Sequence, residues 1–157
     1  MNMMIKYKLL LGFAIILLLS INTLFSQEKY LLVVDVQDVF YKNTEIEQDA
    51  NEMVNNINKI IEKMMPEKVI YIKATGKVLS ISLKGIKAIP MEHAPEIDSN
   101  LHIVNNNIFT KVEGDAFSLE EMNRFLIDND AKEIIIVGLL AEKCIYSTAI
   151  GGIGKGY

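Results

Sequence analysis

The sequence predicts an α/β fold, in which a parallel sheet is covered by helices on both faces. Three observations carry this. Tyr30–Val34 (YLLVV) and Glu133–Gly138 (EIIIVG) are continuous apolar runs rich in β-branched residues, the pattern of strands buried on both sides. Residues 45–64 repeat apolar side chains every three to four positions, the period of an amphipathic helix. Strand-like and helix-like segments then alternate as β-α-β-loop-α-β-α, an order that right-handed crossovers turn into a parallel sheet.

The elements follow in order. Met1–Lys8 holds two lysines and no acid, and Leu9–Gln27 carries no charge. A basic start before an aliphatic core reads as a signal peptide over residues 1–26, cut after Ser26. The other reading is an uncleaved anchor over residues 5–25, close to the length that spans a bilayer. The first places the chain outside the cytoplasm, periplasmic or secreted. The second tethers it to the membrane. Either way residues 27–157 form one domain, more acidic than the whole chain because Lys6 and Lys8 are left behind.

Tyr30–Val34 is the first strand and ends at Asp35. The helix over Glu45–Met64 presents Ile46, Ala50, Met53, Ile57 and Ile60 or Ile61, and Pro66 marks its stop. Lys68–Ala74 is a second strand. Thr75–Thr110 reads as irregular, punctuated by Gly76, Gly85, Pro90 and Pro95, with Val78–Leu83 a short strand or loop. Ser118-Leu-Glu-Glu121 is a capping box that opens a helix to about Asn129. Glu133–Gly138 is the next strand, and Cys144 to about Ile153 the last helix. The glycines of 150–156 predict that this helix is poor.

Composition narrows function. The 157 residues carry a net charge of -4, so no basic surface neutralises nucleic-acid phosphates. The single cysteine excludes an internal disulfide and a cysteine-rich zinc site, leaving an inert buried thiol or a reactive one. Three polar residues fall where α/β sheets bind ligands, outside the carboxyl ends of strands. Asp35 ends the first strand. Lys111 lies in the loop before the capping box. Cys144 begins the last helix. Each alone has a bland reading: a turn residue, a solvated lysine, a small buried hydrophobe. Together they make an activated nucleophile. A helix N-terminus and an ammonium lower a thiol's pKa, a carboxylate takes its proton, and free N–H groups receive an oxyanion.

Three motifs now coincide. Val33-Val34-Asp35-Val36-Gln37-Asp38-Val39-Phe40 resembles the opening D-x-Q-x-x-F motif of the isochorismatase-like cysteine hydrolases. Lys111-Val-Glu-Gly-Asp115-Ala116-Phe117 is similar to their K-x-x-x-[SD]-A-F segment. Val137-Gly138 through Cys144 to Thr148-Ala149, with Gly156-Tyr157 beyond, resembles their G-x5-C-V-x-x-T-A nucleophile motif and later G-Y. The motifs run in family order.

The resemblance implies a Rossmann-like, three-layer α/β/α fold and a catalytic triad of Asp35, Lys111 and Cys144. It implies attack on a small amide-type C–N bond through a thioester, with no cofactor and a small-molecule substrate as partner. It puts the oxyanion hole at the backbone of Leu140 and Cys144, after a cis peptide at Leu139–Leu140. It puts the substrate pocket at Gln37, Phe40 and Leu139. The family's nicotinamidases carry an Asp-x-His pair for metal. Here His93 and His102 stand without one, so no metal is expected. The family also continues past the G-Y with a strand and a helix, so the expectation is a C-terminally truncated domain. An open sheet edge would then allow self-association, and the alternative function is a catalytically silent binding domain.

Overall fold

The computed structural model describes residues 29–82, 85–90 and 93–157; the signal peptide or anchor expected within residues 1–26 lies outside them. The central strand β1 is Lys29–Val34 and the helix α1 is Glu47–Ile61. β2 is Val69–Ala74, β3 is Lys77–Ser82, β4 is Gly85–Pro90 and β5 is Ile108–Lys111. α2 is Glu120–Asp128, β6 is Glu133–Gly138 and α3 is Tyr146–Lys155.

Four strands form one parallel sheet in the order β5-β2-β1-β6. Side chains alternate across it. Leu31, Val33, Val69 and Tyr71 face α1 and pack on Ala50, Val54, Ile57 and Ile61. Tyr30, Leu32, Val34, Ile70 and Ile72 face the other way, onto Phe117, Met122 and Leu126. Two apolar cores on opposite faces of one sheet are the three-layer α/β/α arrangement expected. The chain moves from β1 outward to β2 and β5, then returns to the opposite side of β1 as β6. The strand order therefore reverses beside β1, the place where such sheets form a ligand crevice.

Several expectations need correction. The buried face of α1 carries Ala50, Val54, Ile57, Asn58 and Ile61, while Ile46 is exposed. Asn58 belongs there because its amide donates to Asn100 O (2.8 Å) and accepts from His102 N (2.9 Å), fastening the 98–102 loop. The segment read as irregular holds an antiparallel hairpin, β3–β4, registered from Lys77↔Pro90 to Ser82↔Gly85. It also holds β5, so Lys111 ends a strand rather than sitting in a loop. At four residues β5 is too short for alternation to register in the sequence.

Ser118 does not cap α2. Leu119 stands at its N-cap without a side-chain bond, and Asp115 caps a 3-10 turn, Ala116–Ser118, just before it: the Asp115 carboxylate accepts from Phe117 N (2.8 Å), while the Ser118 hydroxyl donates back to Asp115 O (2.6 Å). The last helix is continuous to Lys155 despite its glycines. Two of them face the preceding loop at close range. A Cβ at Gly151 would lie 2.3 Å from the Asp115 carboxylate, and one at Gly152 would meet the Phe117 ring at 3.0 Å. Here the missing side chains permit tertiary contact, which outweighs their low helix propensity.

Candidate active site

Three chain ends converge at the carboxyl edge of the sheet. Asp35 follows β1, and its N–H donates to Ile72 O on β2 (2.9 Å). Lys111 closes β5, in register with Ala74. Cys144 lies in a one-turn π-helix, Ala141–Ile145, that feeds α3. Cys144 is thus within the turn, not at the start of the helix as the sequence suggested. π-turns inside helices recur at functional sites.

The backbone around these residues is unusual. Asp35 and Leu140 adopt left-handed conformations, with φ of 58° and 62°. Residues other than glycine hold such angles only where the surroundings enforce them. Gly138 (φ 139°) is required on two counts: its angle, and a Cβ there would sit 1.9 Å from Val34 O. The ends of β1 and β6 touch through bare backbone. All peptide bonds of the described residues are trans, so the cis peptide implied at Leu139–Leu140 is absent. Leu140 turns the chain by its positive φ instead.

Asp35 is 0% exposed and Lys111 1%. The Lys111 ammonium lies 2.9 Å from Asp35 Oδ2 and also donates to Glu113 O (3.2 Å). Burial of both charges is tolerable because each offsets the other's lost hydration. The ion pair is close but poorly aligned for a hydrogen bond, and neither Asp35 oxygen receives a well-directed protein donor.

The Cys144 thiol stands beside this pair. Burial pushes its pKa up, the Asp35 carboxylate raises it further as hydrogen-bond partner and as charge, and Lys111 opposes both. The net direction is upward. This corrects the expectation of a lowered thiol pKa: the neighbouring carboxylate and desolvation outweigh the ammonium.

The remaining predicted residues divide. The Gln37 amide is fully committed to backbone, donating to Ala74 O (3.1 Å) and Pro95 O (2.6 Å) and accepting from Ala74 N (2.7 Å). It ties β1, β2 and the 95 loop together beneath the site. Leu139 is buried in the core on the α1 side. Phe40 is 37% exposed, in the 3-10 turn Asp38–Phe40 that follows β1. The polar residues between His93 and His102 do not converge. Asp98 is buried and accepts from the Tyr41 hydroxyl, Glu96 pairs with Lys73 (3.2 Å), and His102 faces Glu62 (3.6 Å). No signal in the sequence marked the buried Asn58, and Thr148 stood there only as a motif position; the Thr148 hydroxyl accepts from Ala116 N (3.1 Å).

Comparison with known proteins follows this geometry. The Isochorismatase domain family model matches residues 29–157. Among solved structures, N-carbamoylsarcosine amidase from Thermoplasma acidophilum is similar at 18% identity and a TM-score of 0.65, covering 83% of this chain and 78% of its own. A nicotinamidase/pyrazinamidase from Acinetobacter baumanii matches at 18% identity and 0.63, over 83% of this chain and 80% of its own. A cysteine hydrolase from Pseudomonas syringae matches at 19% and 0.64, over 84% and 68%. At these identities the neighbours show the shared fold. A search of curated proteins finds no match.

Proposed function

The chain belongs to the isochorismatase family of hydrolases, and we propose that it hydrolyses a small amide-type C–N bond through a thioester on Cys144. The observation that carries this is the buried Asp35–Lys111 ion pair set against the Cys144 thiol at the strand-order reversal.

The chemistry follows from the charges. With its pKa raised, the resting thiol keeps its proton. Attack on a carbonyl carbon therefore requires the S–H proton to pass to Asp35 as the C–S bond forms. The Asp35 carboxylate is the hydrogen-bond partner of the thiol and so stands where it can accept it. Backbone N–H groups of Leu140 and Cys144 receive the developing oxyanion. Asp35 then gives the proton to the departing amine nitrogen, the C–N bond breaks, and a thioester remains. Water, deprotonated by Asp35, attacks that thioester; the carboxylic acid leaves and the thiol regains its proton. Lys111 keeps net charge near neutral while Asp35 cycles between its two forms. Phe40, exposed in the turn after Asp35, is the pocket residue this reading retains, with Gln37 as a brace.

A panel of small amides tests the proposal, including nicotinamide and N-carbamoylsarcosine, the substrates for which two structural neighbours are named. Turnover of at least one amide, an acyl adduct on Cys144 by mass spectrometry, and loss of both in Cys144→Ala are expected. Turnover that survives Cys144→Ala would overturn it.

A second reading has its own support. β6 is half-buried and Ile127, Tyr146, Ile150 and Ile153 are exposed around it, which suits a silent domain that pairs with another chain. A monomer in size-exclusion chromatography that turns over an amide rejects this reading. Export is also part of the proposal, and a mature N-terminus at Gln27 would support it.

A further inference from the structure

Lys111 closes β5, and the loop that follows it is remote from Cys144 in the chain. That loop, residues 112–118, lies flat along one face of α3. Gly114 sits where an added Cβ would touch the Ser147 hydroxyl at 3.4 Å. The Asp115 carboxylate fills the space left by Gly151, and the Phe117 ring the space left by Gly152. At the centre is Thr148, 0% exposed. Its hydroxyl accepts from Ala116 N (3.1 Å) and reaches Gly114 O (3.5 Å). Thr148 is four residues after Cys144, hence about one turn further along the same face. Glu113 O, next to Gly114, is the carbonyl that receives the Lys111 ammonium (3.2 Å).

We propose that Thr148 is a positioning residue that locks the Lys111 loop onto the nucleophile's helix and so sets the distance between the ammonium and the thiol. The inference rests on the Asp35–Lys111–Cys144 reading of the site. Alanine or valine at position 148 would leave the Ala116 N–H buried without an acceptor, and the loop would shift to reach water. Lys111 would move with it, because its second anchor is the carbonyl of Glu113. Serine preserves the hydroxyl and hence the lock. The threonine methyl adds packing, but packing does not direct the ammonium.

The test reads the thiol, not the unknown substrate. The full chain is alkylated with iodoacetamide from neutral to alkaline pH, with thermal unfolding followed in parallel. Thr148→Val is expected to alkylate about fivefold more slowly at neutral pH, the size of one lost hydrogen bond. Its profile moves to the alkaline side, because Lys111 is the group that draws the thiol pKa down. Thr148→Ser should track the wild type. Ile57→Val, buried on the opposite face, controls for simple destabilisation and should leave the profile in place. An unchanged profile in folded Thr148→Val overturns the proposal. So does a shift in Ile57→Val of equal size. Amide exchange of the wild type provides an arm that needs no variant: the Ala116 N–H should be protected, and free exchange there would overturn the lock. Failure of the hydrolase reading shows separately, as a wild type that turns over no amide while its Thr148 variants still differ in alkylation.

Discussion

β1 and β6 are built from nearly the same residues and lie side by side in register from Lys29↔Glu133 to Val34↔Gly138. Their surroundings differ. Every residue of β1 after Lys29 is buried, whereas β6 is only half-buried from Ile134 to Gly138. β1 has β2 on its other side, and among the described residues β6 has no neighbour beyond β1. A run of aliphatic residues therefore specifies a strand, but its place in the sheet decides how much apolar area leaves water. The two strands become alike again at their carboxyl ends. Each stops in a positive-φ turn, at Asp35 and at Gly138, and each turn leads to one half of the proposed site.

The largest effect should come where the two strands touch. Gly138→Ala forces a Cβ onto Val34 O. A loss of about 4 kcal/mol or more is expected, read as a collapse of the urea midpoint or failure to fold. A near-normal midpoint would show that the strand ends are not held as closely as described. The next pair measures the difference between centre and edge. Leu32→Ala in β1 should cost about 3 kcal/mol, and Ile136→Ala in β6 about half of that, since it is only partly withdrawn from water. Equal losses would mean that β6 is covered in solution.

A smaller effect reports on the strand ends closing over the thiol. Because burial and Asp35 raise the Cys144 pKa, native protein at neutral pH should alkylate at least about threefold more slowly than the urea-unfolded chain. The sign for stability follows. The unfolded thiol releases its proton first as pH rises, so this group's contribution is complete below the ordinary thiol range and fades through and above it. A native thiol that reacts faster than the unfolded one would reverse this electrostatic account. The smallest effect belongs to the amino ends, where Lys29 and Glu133 pair at 3.0 Å with about half of each side chain exposed. Glu133→Gln should cost under about 0.5 kcal/mol in a urea titration.

The same comparison explains what could be read from residues alone. β1, β2 and β6 were legible because each is a continuous apolar run, and α1 because its period spans four turns. Asp35, Lys111 and Cys144 were legible as motif residues, and the fold does bring them to one edge of the sheet. What was illegible has local causes. β5 is four residues long and follows an asparagine run whose side chains bind backbone at Val69 and Glu67. The apparent capping box fails because Ser118 belongs to a 3-10 turn capped by Asp115 and bonds Asp115 itself. The direction of the thiol shift needed the actual depth of burial, which no spacing encodes. Thr148 stood in the sequence as a motif position without a role, and only the loop lying against it shows its bonding.

The register of β1 against β6 also has a kinetic side. Those partners are about a hundred residues apart in the chain, and their pairing is parallel. Contacts of such sequence separation form late, since closing the intervening loop is entropically unfavourable until other structure has shortened it. The sheet can assemble β1 on β2 early, with α1 between them. Asp35 and Cys144 meet only when β6 docks. Cys144 is consequently kept from Asp35 during most of folding, and the candidate site of a newly made chain is completed in its last step.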